Sequence, residues 1–366
     1  MGNRIKILEV IGSMDMGGAE TFLMNVLRNI NSQKFELFFL VYGKKHFDYE
    51  DELKRLGGHI IRIDNPKKIF DFVLAKKIEA IIKNNRIDIV HAHTYYNSMY
   101  AVLAAKNAKI NKIIVHSHNT KPESTNNPLK KLYYKISKII INRYATTFLA
   151  CGKEAGEALF NKNKHFSIIE NGIIVSDFVY SKDNRNKKRN ELGLPNKTVA
   201  LVHIGRFDIQ KNHEFLIDVF YRFQEVNPSS ILFLIGDGKL KDSILKKVHD
   251  IGIDKKVVFL GKRSDVNELL SAMDVLVFPS LYEGMPVTLI EAQVNGIPII
   301  ASSNIDKDIN FTGSISFVSI DDSTKKWADT VKKRMTEGHG IYGLDAYKKY
   351  DISNCVKKIE GMYETA

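Results

Sequence analysis

Short, almost uninterrupted apolar runs recur along the whole chain, each followed by a stretch with helical periodicity. In the first half they read IKILEVIG, FELFFLVYG, HIIRID, IDIVHAH, KIIVHSH and TTFLACG; in the second, VALVHIG, ILFLIGD, KVVFLG, VLVFPS, PIIAS and ISFVSI. A strand with water on one face alternates apolar and polar residues, whereas a strand covered on both faces reads as a continuous apolar run. Such runs separated by helices predict βαβ units, and so an α/β chain with a doubly wound parallel sheet in each half. Open sheets of this kind bind ligands beyond the carboxyl ends of their strands, so two that face one another predict a ligand in the cleft between them.

The stretch SKDNRNKKRNELGLPNK is polar, strongly basic and punctuated by Gly193 and Pro195, and it reads as a linker. It divides the 366 residues into a domain at 1–182 and a domain at 183–345, with 346–366 as a C-terminal helix packing back towards the first. With 44% hydrophobic and 26% charged residues the chain has the composition of a globular protein with a sizeable core. Its two cysteines, Cys151 and Cys355, lie far apart and lack metal-ligand spacing, which makes a reducing cytosol the simplest setting. No apolar stretch has the length of a membrane span, and the N-terminal segment lacks the features of a signal peptide. Gly2 is discounted as a lipidation site because position 6 is lysine rather than serine or threonine.

A formal net charge of +12 favours polyanionic partners: nucleic acid, an acidic membrane surface, or phosphate-bearing substrates. Three segments point to the last. GSMDMGGAE closes the first strand, and Gly17 and Gly18 let backbone N–H groups at a helix start approach a ligand; a plain turn explains the same residues equally well. GRFDIQKNHEFL follows the first strand of the second half and sets Arg206 and Lys211 just before a helix, a seat for a diphosphate or else a solvated loop. PSLYEGMPVTLIEAQVNG carries Glu283 in a turn, Pro286 near the first helical turn and Glu291 inside the helix, where a carboxylate can accept hydrogen bonds from vicinal sugar hydroxyls. The dinucleotide fingerprint is absent, and IGDGKL lacks its third glycine, so a nicotinamide dehydrogenase is disfavoured. Eight helical residues rise about 12 Å, beyond the roughly 5–9.5 Å that paired glycosidase carboxylates need, so glycoside hydrolysis is disfavoured too.

Together GGAE, HSHNT, ENGI, GRFDIQKN, FLGKRSDV and the E-x7-E block cover nearly the whole chain. In them the sequence resembles the retaining glycosyltransferases of family 4, or group 1, most of all the branch found in capsule and exopolysaccharide clusters. The resemblance implies the GT-B architecture: two doubly wound Rossmann-like domains facing a central cleft, the first for the acceptor and the second for a nucleotide-sugar donor. It implies that Glu291 binds the ribose, that Glu283 with the backbone of Gly284 and Met285 holds the donor sugar, and that Arg206 and Lys211 neutralise the departing diphosphate. Gly17 and Gly18 would approach that phosphate, His118 would stand beside the donor sugar, and the segment at Lys262 and Arg263 would contact the base. It further implies retention of configuration, a uridine diphosphate donor, a glycan or lipid-linked acceptor, and no cofactor or metal.

Two features need separate weighing. His91, His93, His116 and His118 form two H-x-H pairs whose alternation puts each pair on one face, as zinc would accept; no nearby acidic or cysteine ligand is visible, so the expectation is no metal. His93 and Tyr95 are placed on the acceptor side, and Asp306-Lys307-Asp308 is read as surface rather than as a metal-binding D-x-D. The segment NNPLKKLYYKISKIIINRYATT has five basic residues and no acidic one. One helical stripe holds Leu129, Leu132, Tyr133, Ile136, Ile139 and Ile140, another Lys131, Lys135 and Lys138. That pattern suits peripheral contact with the anionic inner face of a bacterial cell membrane, or a core-facing helix with a solvated basic face. The competing functions are a nucleotide-sugar epimerase or hydrolase on the same scaffold, and a basic nucleic-acid-binding protein, which has no recognisable module here.

Overall fold

The structure is a computed structural model that describes residues 4–66, 69–120, 126–195 and 197–365; Gly2 lies outside them. Every strand expected from the apolar runs is present, and every strand pairing is parallel. The first unit, Met1–Ile173 with Lys349–Ala366, is built on β1 (Ile5–Gly12), β2 (Phe35–Tyr42), β3 (His59–Ile63), β4 (Ile89–Ala92), β5 (Lys112–Ser117), β6 (Thr147–Ala150) and β7 (Ser167–Ile168), in the order β3-β2-β1-β4-β5-β6-β7. The second, Ile174–Lys348, is built on β8 (Val199–Ile204), β9 (Ser230–Ile235), β10 (Val257–Gly261), β11 (Val275–Phe278), β12 (Ile299–Ser302) and β13 (Ile315–Val318), in the order β10-β9-β8-β11-β12-β13. All four residues of β4, β11 and β12 are buried, because helices cover both faces of each sheet. The short β7 has no apolar run to betray it: both of its residues are exposed.

The chain passes between units nine residues earlier than the basic stretch suggested, after Ile173, and returns after Lys348. The stretch expected as a linker is a helix, Lys182–Glu191, capped by Ser181 and packed within the second unit. Its positive charges are structural. Arg189 is 6% exposed and donates to the carbonyls of Ala272, Pro195 and Thr198 and to Asp274. Arg185 donates to the other oxygen of Asp274 at 2.6 Å, while Asp274 also accepts from the Ala200 amide. Composition suggested a solvated tether because guanidinium groups are read as surface; here a half-buried carboxylate and several carbonyls take them.

The C-terminal helix, Ile352–Glu364, belongs to the first unit. A two-hydrogen-bond bridge stitches Ile173 to Tyr350 and Ile352, each at 2.9 Å. Gly172 of the ENGI segment has no room for a side chain: a Cβ there would lie 2.8 Å from Cys355 Sγ and 2.9 Å from the Ile352 Cα. The helix buries Cys355, Val356, Ile359 and Tyr363.

The helix Pro128–Tyr144 is oriented differently from the expected stripe. Its buried face is Tyr133, Ser137, Ile141 and Asn142, set by Tyr133 donating to Asn97 and Ser137 meeting Met99. Leu129, Leu132 and Ile139 are consequently exposed, beside exposed Lys131 and Lys135. Lys138 turns inward and donates to the Ala158 carbonyl at 3.0 Å, so it leaves the expected basic stripe. Among the described residues no helix is long and apolar enough to cross a membrane.

Replacing Arg189 with alanine is expected to destabilise the protein by about 3 kcal/mol, since it takes a buried donor from the carbonyls of Ala272, Pro195 and Thr198 and one of the two guanidinium groups from Asp274. Urea denaturation of the purified variant measures this; a loss below about 1 kcal/mol, the scale of an exposed ion pair, would return the helix to the role of a tether.

Candidate active site

In the second sheet the chain starts in the middle. β8 neighbours both β9 and β11, and the order runs outward on either side. The loops leaving the carboxyl ends of β8 and β11 therefore diverge and leave a crevice, the place where open α/β sheets take ligands. Those loops are residues 205–212 and 279–286, which hold the expected Arg206, Lys211, Glu283, Gly284 and Met285.

The β8 loop is held against its neighbour by glycines. A Cβ on Gly236 would lie 2.1 Å from the Gly205 carbonyl oxygen, and one on Gly238 would lie 2.5 Å from that of Phe207. The IGDGKL glycines thus serve close backbone packing, with Phe207 N–H donating to the Asp237 carbonyl. Lys211 extends over the Phe278 ring at 4.6 Å and ends 2.6 Å from Glu283 Oε1. Gln210 donates to the other Glu283 oxygen at 3.1 Å and to the Tyr282 carbonyl, and its own carbonyl accepts from Leu281 N–H. The two loops are thereby clamped side by side. Arg206 is exposed and paired with Asp208.

Two helices begin at this crevice, His213–Val226 and Val287–Asn295, and neither has a side chain capping its N-terminus. The residue before the first is Asn212 in the left-handed region, and before the second it is Pro286. Free N–H groups at two helix starts are a partial positive charge of fixed direction. Glu291 lies in the second helix, half-buried, with no hydrogen-bonding or charged partner among the described residues; burial pushes its carboxyl up to about 7. Of the expected base-contact pair, Lys262 is exposed, whereas Arg263 spends its guanidinium on Asp265 and Glu191. Asp306 accepts from Asp308 N–H and so caps a short turn, with Lys307 and Asp308 at the surface.

In the first unit the corresponding switch lies between β1 and β4. Gly17 precedes the helix Gly18–Asn29 that follows β1, but the Glu20 carboxylate folds back over Gly17 and accepts from Ser13. The helix start expected to approach a phosphate therefore carries a carboxylate of its own. The four strand-end histidines do gather: rings of His91 and His93 are 4.1 Å apart, as are those of His116 and His118. The acid that the sequence reading did not find among them is Glu9, from the middle of β1 and fully buried. It accepts from His93 Nε2 at 2.8 Å and from the Tyr363 hydroxyl at 2.8 Å. Against the upward push of burial, His91 and His93 hold its carboxyl well below the usual carboxylate range. Burial, with His91 beside it, draws His93 down to about 4, and burial draws His116 and His118 well below an ordinary imidazole.

His93, expected on the acceptor side, is 4% exposed with a partner on each nitrogen, one layer beneath the surface. Tyr95 is also largely buried, opening a short turn at a positive φ of 53°. The signal for Glu9 was available: a carboxylate inside IKILEVIG is a charge in the centre of a strand buried on both faces. Gln210 sat unremarked inside GRFDIQKN. Tyr363, more than three hundred residues from its partner, left no local signal.

Comparison with known proteins agrees with this geometry. A family model for group 1 glycosyl transferases matches residues 184–309, and one for glycosyltransferase family 4 matches residues 16–177. The Bacillus subtilis protein described as glycosyltransferase EpsF is 30% identical over 339 residues, covering 91% of this chain and 88% of that one. A Staphylococcus aureus capsular polysaccharide biosynthesis glycosyltransferase, CapH, is 27% identical across 98% of both chains. An Escherichia coli UDP-Gal:α-D-GlcNAc-diphosphoundecaprenol α-1,3-galactosyltransferase is 28% identical across 77% of both. Among solved structures, Anabaena HepE in complex with UDP and glucose superposes with a TM-score of 0.82 over 99% of this chain and 100% of that one, at 17% identity. With two Rossmann-like parallel sheets of GT-B type and these relatives, the chain belongs to the family 4, or group 1, glycosyltransferases.

Proposed function

We propose that the second unit binds a uridine diphosphate sugar at the switch point of its sheet. The sugar passes with retention, and with no metal in the chemical step, to a glycan or lipid-linked acceptor in the making of a surface polysaccharide. The observation that carries this reading is Glu291, a half-buried carboxylate with no hydrogen-bonding or charged partner among the described residues. Such a group is costly unless a ligand supplies donors, and the vicinal hydroxyls of a ribose are two donors side by side. The relatives support the finer points by their descriptions: the HepE complex contains UDP, the E. coli enzyme uses UDP-Gal and a diphosphoundecaprenol-linked sugar, and CapH serves capsule biosynthesis. Nucleic acid has no part in the reading.

The chemistry follows from charge. In the free protein Glu283 neutralises Lys211. A diphosphate competes for that ammonium, and Glu283 is released to accept hydrogen bonds from the donor sugar, alongside the backbone of Gly284 and Met285. Arg206, mobile on its exposed stem, adds a second cation. Breaking the anomeric bond builds negative charge on the diphosphate, and cations and helix N-termini already in place lower that barrier without reorganising. A leaving phosphate oxygen takes the acceptor's proton, so no protein nucleophile is needed. Lys262 serves the base, and His118, Gly17 and Gly18 serve the sugar and phosphate.

The helix Pro128–Tyr144 supplies the membrane contact in this proposal. Leu129, Leu132 and Ile139 form an exposed apolar strip with Lys131 and Lys135 alongside, worth about 1 kcal/mol per lysine near an anionic surface. Lys138, bonded inward, contributes none of this.

Lys211→Ala and Glu291→Ala are each expected to lower transfer at least about 100-fold while leaving the melting temperature within a few degrees of the parent. The assay follows released UDP together with elongated acceptor. Substantial turnover in either soluble variant would sink the site, and free sugar or an epimer as the sole product would replace transfer by hydrolysis or epimerisation.

Glu291 also gives a pH dependence of definite sign. Its raised pKa means the free protein binds a proton below about pH 7 that must leave when ribose hydroxyls donate to the carboxylate. UDP affinity relative to the Glu291→Gln variant is therefore expected to fall as pH drops from 8 to 6, by up to about tenfold per unit below the pKa. Taking the ratio cancels the titration of UDP itself. A ratio independent of pH in calorimetric titrations would remove Glu291 from the ribose site.

Sedimentation with vesicles containing anionic lipid tests the membrane contact. Binding is expected for the parent and is expected to disappear in Lys131→Glu/Lys135→Glu and in Leu132→Ser/Ile139→Ser. No binding by the parent, or binding untouched by both changes, rules it out.

A further inference from the structure

Beneath His118 runs a chain of hydrogen bonds whose protons can be assigned one by one. Tyr363 Oη lies 2.8 Å from Glu9 Oε1 and His93 Nε2 lies 2.8 Å from Glu9 Oε2. An ionised carboxylate only accepts, so both neighbours must donate, and His93 carries its hydrogen on Nε2. A neutral imidazole has one N–H, which leaves a lone pair on His93 Nδ1. His118 Nε2 is 2.9 Å from that lone pair and must therefore carry the His118 hydrogen. The remaining His118 nitrogen, Nδ1, is then an acceptor. It is shut off from solvent, and its neighbour is Asn171, whose side-chain amide interacts with this ring. On the other branch, the Tyr363 hydroxyl donates to Glu9 and accepts from His91 Nδ1 at 2.7 Å.

We propose that Glu9 and His93 are positioning residues that fix the tautomer and orientation of His118, so that the ring stands in a single state, its Nδ1 lone pair turned to the Asn171 amide. The functional half of this rests on the reading of His118 as a residue of the donor sugar. The physical logic is that of a buried carboxylate orienting an imidazole, extended by one ring. A single carboxylate in a water-free sheet decides the direction of every hydrogen bond leading away from it, because each intervening ring has one proton to give. Neutrality of the rings agrees with their burial, which disfavours the imidazolium form. A ring without this chain would be free to flip or to swap tautomers, and its contact with Asn171 and its placement would change with it.

The same rings invite a metal. One nitrogen from each of His91, His93 and His116 lies within 4.8 Å of the others. Nitrogens bound to zinc at about 2.1 Å stand roughly 3.4 Å apart, closer than that limit requires. His93 has both nitrogens engaged already, and ligation would break its bond to His118 or to Glu9. The hydrogen-bonded chain is the arrangement that the distances favour.

Long-range 1H–15N correlation spectra of the full chain labelled at histidine nitrogen report each tautomer directly. The expected result is His118 protonated at Nε2 and His93 at Nε2. The isosteric Glu9→Gln change, whose amide can accept or donate, is expected to mix the His118 tautomers. It should also lower kcat about 10- to 100-fold, with the donor KM little changed. Tyr363→Phe, which removes one donor from Glu9 but keeps the His93 contact, is expected to leave the His118 tautomer as it is. His118 protonated at Nδ1 in the parent, or an unchanged spectrum in Glu9→Gln, overturns the proposal. So does one equivalent of zinc retained through purification, measured by emission spectrometry. Full turnover in Glu9→Gln despite mixed tautomers sinks the positioning role alone, whereas full turnover in His118→Ala sinks the reading of His118 on which it rests.

Discussion

A parallel strand covered on both faces can present polar chemistry at only one place, its carboxyl end, and both sheets of this protein obey that constraint. Their interiors are largely apolar because helices take up each face, and the carboxylate that does lie there, Glu9, is bonded within the protein. Whatever the protein does with phosphate, sugar or charge is pushed into the loops after β1, β4, β5, β8 and β11. The strand orders then choose among those loops, since only where the order reverses do neighbouring connections part and leave a crevice. In the second unit that crevice receives Lys211, Glu283 and two uncapped helix starts together.

Two buried carboxylates illustrate how partners decide a role. Glu9 lies in the middle of a strand, where a charge is most costly, and against that cost His91 and His93 hold its carboxyl below the usual carboxylate range, while Tyr363 donates to its other oxygen. Glu291 lies nearer the surface yet has no such donors, and desolvation alone raises its pKa. The first is complete within the protein and orients its neighbours. The second has no such partner among the described residues, the feature on which its proposed role as a ligand-binding group rests. Lys211 stands between the two cases, balanced by Glu283 but in a pairing that a more highly charged anion can displace.

Basic residues proved the least transparent part of the sequence. The charges of 182–191 looked like a solvated tether, yet Arg185 and Arg189 converge on Asp274 and on carbonyls at the ends of neighbouring elements. Arg263, too, is bound into a network with Asp265 and Glu191. Lys138 shares a helical stripe with Lys131 and Lys135, but the neighbouring Ala158 carbonyl takes it inward. In that helix hydrophobicity was an equally poor guide to direction, because the packed face includes Ser137 and Asn142 while Leu129, Leu132 and Ile139 face outward.

What the sequence determined by itself was everything carried by local pattern. The continuous apolar runs set the strands, their alternation with helices set the parallel sheets, and position just after a strand end put Arg206, Lys211 and Glu283 in the turns that follow β8 and β11. A periodicity of two or 3.6 residues is a property of neighbouring positions, so it survives without knowledge of the fold. What only the tertiary structure decided was pairing over long separations: Lys211 with Glu283, Arg189 with Asp274, and Tyr363 with Glu9. Whether a charge is neutralised or left without a partner depends on groups brought together by the whole chain, and electrostatics at 3 Å leaves no trace in the order of residues tens to hundreds of positions apart.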